Sequence, residues 1–290
     1  MLYYVNESKH NPYGGKTPMQ HTLGVIGCGN MAKAILRGIR NVGEANLSIS
    51  RIAMYDIFPE QYSDLSDDVR YPADSIPAVA KDADIVLLSV KPQNYPDVLA
   101  TLKSVPNYSQ KLYISIGAGI SSQSVSDALD GALVVRVLPN VPMLIGMGVS
   151  IICRNDKIDA NAFSFIQNLF ASSGSVLLID EKDMNPMIGV TSSSPAYVFR
   201  FIDAIYEGAL AQGLPADGLL EAICDVVIGS ATMLRNGTDT PSELISKVAS
   251  KGGTTEQALL ALDRADFKRA LADAMLACTA RADELGAKKS

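Results

Sequence analysis

Histidine is nearly missing from this chain: of 290 residues only His10 and His21 carry an imidazole, and both precede the first convincing structural element. The shortage removes the commonest general acid–base side chain and the commonest metal ligand from most of the sequence. Cysteine is sparse too. Cys28, Cys153, Cys224 and Cys278 stand far apart, with neither metal-ligand spacing nor the density of a disulfide scaffold. Such isolated thiols fit a reduced cytoplasm. No run approaches the roughly 18 uninterrupted apolar residues of a membrane span. A net charge of −6 and the lack of basic clusters argue against nucleic acid as a partner.

What the chain does have is apolar substance, 48 % of its residues, enough for a sizeable core in one large domain or two ordinary ones. Residues 1–20 are polar, carry Pro12 and Pro18, and show no apolar face. They lack the apolar centre of a signal peptide and the arginines of a transit peptide, so they read as a mobile extension, with Met19 as an alternative start.

From 21 to 181 short apolar strands alternate with helices. Strands are expected at 22–26, 52–55, 85–90, 112–116 and 133–137, and at 149–153 and 176–179 with a helix over 159–171 between them. This alternation predicts an α/β domain of Rossmann type, a mostly parallel sheet covered on both faces. Over 182–290 the period becomes helical throughout. Val198, Phe199, Ile202 and Ile205 line one face, and Leu220, Ile223, Val227 and Ala231 another. Five such segments carry wider apolar faces than a thin helical layer can hide, which predicts an obligate dimer through this half.

Gly27-x-Gly29-x-x-Ala32, between a strand and a helix, has the form of a dinucleotide fingerprint. Gly27 permits the tight turn, Gly29 lets the backbone approach a pyrophosphate, and Ala32 keeps helix close to strand. The helix start at Asn30 and Met31 offers free N–H groups to phosphate. An ordinary tight turn without a ligand is the alternative. Asp56 closes the second strand, where an acid accepts ribose hydroxyls, which favours NADH over NADPH; its bland alternative is a turn residue. Val90-Lys91-Pro92 and Gly117-Ala118-Gly119 follow later strands at the edge where ligands of open parallel sheets gather.

In the helical half, Thr240-Pro-Ser-Glu243 is a capping box. A second is expected at Thr254 with Gln257, leaving Thr255 without a local duty. Gly252 and Gly253 would bare backbone N–H groups beside a helix start, a small anion site with one free hydroxyl that suits a carboxylate. A glycine-rich turn is the alternative.

The segments GVIGCGNMAKAI, SVKPQ, RVLPNVP, SSPAYVF and above all VASKGGTTEQAL resemble the pyrroline-5-carboxylate reductase family from about residue 22 to the end. The resemblance implies reduction of 1-pyrroline-5-carboxylate to L-proline by NADH or NADPH, and a helical dimerisation domain. It also implies an active site built across the dimer, and often rings of dimers. It places Ser250, Gly252, Gly253 and Thr255 at the substrate, with Thr255 near the ring nitrogen, and Pro92 and Asn140 near the nicotinamide. There are departures. The family's usual Gly-Ser-Gly reads Ser192-Ser193-Ser194, Met147 stands where glutamate is common, and Asn185-Pro186 is unusual.

The chemistry agrees with the missing histidines. A protonated cyclic imine brings its own proton, whereas a ketone-reducing dehydrogenase needs a side-chain acid. Two rivals remain. A β-hydroxyacid dehydrogenase wants a helical lysine four residues before an asparagine, and Lys182 and Asn185 are wrongly spaced. A non-catalytic dinucleotide sensor is the other.

Overall fold

The computed structural model describes residues 3–4, 20–62 and 65–287. The expected mobile extension lies outside the described residues, apart from Tyr3, Tyr4 and Gln20. Contacts divide the chain into two compact units. One runs to Ser193 and takes up the chain again from Ala277, and the other spans Ser194–Leu276.

Among the described residues nine strands form one sheet, ordered β1-β9-β8-β7-β6-β5-β2-β3-β4. They are β1 (Tyr3–Tyr4), β2 (His21–Ile26), β3 (Ile49–Tyr55), β4 (Arg70–Pro72), β5 (Ile85–Leu88), β6 (Leu112–Ser115), β7 (Leu133–Leu138), β8 (Gly148–Cys153) and β9 (Gly174–Ile179). From β4 to β7 every pairing is parallel. The register then turns: β8 pairs antiparallel with β7, and β9 parallel with β8. The short β4 and β1 were not expected. Arg70–Pro72 carries too few apolar residues to signal a strand, and Tyr3–Tyr4 pairs only with Leu177 and Leu178 of β9.

The sheet is apolar on both faces because its strands are buried on both. Leu23, Val25, Ile85, Leu87, Leu112, Ile114, Val135 and Val137 point to one core, against α1 (Asn30–Val42) and α5 (Ala160–Ala171). Their alternates Ile26, Val86, Leu88, Tyr113 and Val134 point to the other. That second core is filled by α2 (Ile76–Lys81), α3 (Tyr95–Leu102) and α4 (Ser122–Ala128). Strand β5 ends at Leu88, two residues before the expected stop. Ser89 makes the last ladder bond, to the Ile26 carbonyl at 2.9 Å, and Pro92 opens a 3-10 turn.

A charged clamp ties β7, β8 and the first helix after the sheet. Arg136, buried on β7, donates to Glu181 Oε1 at 2.8 Å and to Asn185 Oδ1, both on α6 (Glu181–Met187). Ser122 Oγ donates to Glu181 Oε2 at 2.7 Å and the Cys153 thiol to the same oxygen at 3.3 Å. Burial alone would raise the Glu181 carboxyl, but the hydrogen bonds from Arg136 and Ser122 outweigh it and hold the group below the usual glutamate value.

In the other unit the chain is helical, through α7 (Ser194–Ala211), α8 (Leu219–Asn236), α9 (Pro241–Val248) and α10 (Thr254–Arg264); α11 (Phe267–Ala287) closes the chain. Large apolar side chains stand exposed here, among them Val226 at 66 %, Val248 at 68 % and Leu276 at 67 %.

Glu181→Gln should cost stability at neutral pH by the low end of about 3–5 kcal/mol, because Arg136 is left charged and buried while Glu181 itself stays partly exposed. The lowered carboxyl contributes stability above the ordinary glutamate value, lost as pH falls through the folded value. Melting curves from pH 7 down to acid should therefore converge for parent and variant.

Candidate active site

The glycine-rich turn is built by close approach. Gly27 takes φ +90 and donates to the Tyr55 carbonyl at 2.8 Å, and a Cβ on it would sit 2.6 Å from the Ser89 carbonyl oxygen. Only glycine fits between the ends of β2 and β5 there. Beside Gly29 the space is open, with nothing within 4 Å of where a Cβ would stand. Among the described residues no acceptor meets the N–H groups of Gly29, Asn30, Met31 or Ala32, and the first turn of α1 holds no acid. Unspent donors at a helix start, facing free space, fit a dinucleotide pyrophosphate.

Asp56 does something that its position alone did not announce. Its Oδ2 accepts from the Cys28 N–H at 2.7 Å and its Oδ1 from the Phe58 N–H at 3.0 Å. The carboxylate thus braces the glycine loop against the end of β3, while each oxygen keeps a lone pair for a ribose hydroxyl. Burial, aided by the Asp56 charge, pushes the Cys28 thiol up to about 12, so it stays protonated inside the loop.

Gly117 follows β6, Val90-Lys91-Pro92 follows β5 and Asn140 follows β7, so with Gly27–Ala32 and Asp56 they gather at the C-terminal edge of the parallel strands. Val90 and Pro92 are half-buried and Lys91 is exposed. Asn140 is buried with both ends of its amide bonded: Nδ2 donates to the Thr191 carbonyl at 3.1 Å, and Oδ1 accepts from the Val149 N–H at 2.8 Å. It joins the β7–β8 connection to a π-helical turn, Ile188–Ser192, closed by Ser193 N–H on the Ile188 carbonyl at 2.8 Å. In that turn Ser192 Oγ is buried without a partner among the described residues. Neither the π turn nor the orphan hydroxyl has a sequence signature beyond the three serines.

The 250–255 loop lies in the helical unit and corrects two expectations, the cap at Thr254 and the bared N–H groups of Gly252 and Gly253. The first box is present, with Thr240 and Glu243 bonded reciprocally. The second is displaced. Gly253, not Thr254, is the N-cap of α10, and Thr254 is its exposed first residue with no capping bond. The reason is Glu256, whose Oε2 accepts from the Gly252 N–H at 2.8 Å, so the acid three residues after Gly253 does the reaching back. A glycine N-cap costs only a few tenths of a kcal/mol against threonine. Gly252 needs its φ of +75, and Gly253 donates to the Ser250 carbonyl at 3.0 Å. The two glycine N–H groups are therefore engaged. The donors with no acceptor among the described residues are those of Thr254, Thr255 and Glu256, at the first turn of α10. Thr255 is half-buried and its hydroxyl meets no partner among the described residues.

A family model for pyrroline-5-carboxylate reductase dimerisation matches residues 181–285, and one described as NADP oxidoreductase, coenzyme F420-dependent, matches 22–119. A pyrroline-5-carboxylate reductase of Escherichia coli K12 is 33 % identical over 269 residues, 92 % of this chain and 99 % of the relative. The chain belongs to the pyrroline-5-carboxylate reductase family. Another relative of that name, from Synechocystis, is 32 % identical over 93 % of this chain and its own full length. A crystal structure of the Plasmodium falciparum pyrroline carboxylate reductase with NADP bound superposes with a TM-score of 0.81 at 25 % identity, covering 93 % of this chain and 99 % of that one.

Geometry speaks against the dehydrogenase rival as well. The Asn185 amide is held by a structural pair, its oxygen on Arg136 and its nitrogen on Asp283 Oδ1 at 2.6 Å. Among the described residues no three His, Cys, Asp or Glu side chains cluster as metal ligands, and no helix is long and apolar enough to cross a membrane.

Because Thr254 carries no cap, Thr254→Ala should shift stability by no more than about 0.5 kcal/mol. Gly252→Ala, forced into a left-handed backbone, should lose about 1–2 kcal/mol. Chemical denaturation of both variants beside the parent checks the pair; a larger loss for Thr254→Ala would restore the capping-box assignment.

Proposed function

We propose that this chain reduces 1-pyrroline-5-carboxylate to L-proline, the last step of proline synthesis, with NADH or NADPH as reductant. One observation carries the reading beyond family membership: the unpartnered Thr255 hydroxyl stands on a helix start whose N–H groups are unspent, with no histidine in the helical half of the sequence. When bound, NAD(P)H supplies the hydride.

Gly27 and Gly29 shape the cradle and the N–H groups through Ala32 meet the pyrophosphate. Val90, Lys91, Pro92 and Gly117 border the nicotinamide side, and Asn140 holds the nearby turn in place. Ser250, Gly252 and Gly253 fix the loop, so that the first N–H groups of α10 face the substrate carboxylate. Thr255 orients the ring nitrogen. The imine arrives protonated, so the protein's task is orientation rather than proton donation.

Asp56 favours NADH, since a carboxylate at the ribose repels an added phosphate. The exposed apolar side chains of the helical unit support self-association as a dimer, and rings of dimers extend the same reading. Residues 21–181 serve as the dinucleotide-binding domain and 182–290 as the dimerisation and substrate domain. A cytoplasmic setting suits the reaction.

Purified protein should oxidise NADH or NADPH with pyrroline-5-carboxylate, and Thr255→Val should lower kcat/KM by about ten- to a hundredfold, ~1.5–3 kcal/mol, without weakening the cofactor. No oxidation of either cofactor sinks the reading, and a clear NADPH preference in kcat/KM removes the Asp56 argument. Sedimentation at nanomolar concentration should find a dimer; a stable, active monomer would refute the assembly.

A further inference from the structure

Tyr95 opens α3 immediately after the Lys91-Pro92 turn, and its ring is 1 % exposed in the second core. The hydroxyl lies back under the strand ends. It donates to the Leu88 carbonyl at 3.0 Å, stands 3.0 Å from Ser115 Oγ, and accepts the Gly117 N–H at 3.0 Å. A phenol has one proton to give and room for two to receive. With Ser115 donating, all three places are filled. The Leu88 carbonyl takes its second bond from the Ile116 N–H at 3.2 Å. One buried oxygen therefore joins the last residue of β5, the last residue of β6 and the first glycine of the loop beyond.

Gly117 records the same fit from the other side. Its φ is not in the left-handed region, so no turn demands glycine there. A Cβ would instead fall 2.8 Å from the edge and hydroxyl of the Tyr95 ring. Gly117 is glycine because Tyr95 passes beneath it.

We infer that Tyr95 is a positioning residue for the nicotinamide half of the cofactor site, holding the loops after β5 and β6 at one spacing through its hydroxyl. The inference rests on the proposed cofactor role of Val90–Pro92 and Gly117. Tyr95 touches neither cofactor nor substrate in this scheme; it acts through the loops. Burial pushes its phenol up to about 12, so the proton stays in place at working pH. The pyrophosphate cradle packs on Ser89 and Val90 but takes its hydrogen bonds from the end of β3, Gly27 on the Tyr55 carbonyl and Cys28 on Asp56, so the nicotinamide half should feel the loss of the Tyr95 oxygen more than the pyrophosphate half.

Tyr95→Phe keeps the ring and removes the node. The test titrates parent and variant with NADH and NADPH, followed by reduced-nicotinamide fluorescence. Calorimetry with ADP-ribose and its 2′-phosphate, which lack the nicotinamide, completes it. Tyr95→Phe should weaken the whole cofactor about tenfold, ~1.4 kcal/mol, and move the fragments by less than about twofold. Ser115→Ala, which removes one bond of the three, should act in the same direction more weakly, and it carries the test if Tyr95→Phe does not fold. Equal weakening of cofactor and fragment would mean a general loss of structure and overturns the inference, as does unchanged cofactor affinity in a folded variant. If the parent binds neither NADH nor NADPH, the cofactor reading itself fails and this inference with it.

Discussion

Backbone polar groups at the C-terminal ends of buried parallel strands must find partners before the chain can leave the sheet, because water does not reach them. In this protein each exit solves that problem with a borrowed group. Gly27 leans on the Tyr55 carbonyl, Cys28 on the Asp56 carboxylate and Gly117 on the Tyr95 hydroxyl, while Asn140 beyond β7 lends its amide oxygen to Val149 at the start of β8. Each bond fixes one strand end against its own neighbour. The candidate dinucleotide edge is thus rigid for a structural reason, and preorganised loops bind at lower entropic cost.

The helical unit shows a different economy. Its loop after α9 is held by its own Ser250 carbonyl and by Glu256 of α10. What it leaves over is a row of helix-start N–H groups and the hydroxyls of Thr254 and Thr255, beside which an anionic ligand needs no arginine. Orientation without a strong acid fits a substrate that carries its own proton. It also explains how a chain with two histidines, neither in this half, can belong to a reductase family.

Much of this was legible in the sequence. The strand–helix alternation is a direct consequence of side chains that repeat every second residue facing two cores, as Leu23 and Val25 face one and Ile26 the other. Gly27 was legible because only glycine tolerates both a positive φ and a carbonyl 2.6 Å from a would-be Cβ, whereas Gly29 keeps an ordinary φ of −66 beside open space. The cap of α10 was misplaced by one residue. Thr254 with Gln257 offered a capping box, but the helix starts one residue earlier, at a glycine without a side chain, with Glu256 holding the Gly252 N–H, and local pattern cannot choose between frames a residue apart. The antiparallel turn at β8 was equally silent, since a strand's direction leaves no trace in its apolar pattern.

By itself, then, the sequence determined the mostly parallel sheet, the helices that follow it and the position of the Gly27 turn, because local sterics and periodicity decide these. The tertiary structure alone decided what the polar side chains do. Asp56 braces a loop 28 residues away, Tyr95 reaches 22 residues to Gly117, and Asn140 holds Thr191 across 51. Partners at such separations are chosen by which strand ends lie side by side, and that neighbourhood exists only once the sheet has formed.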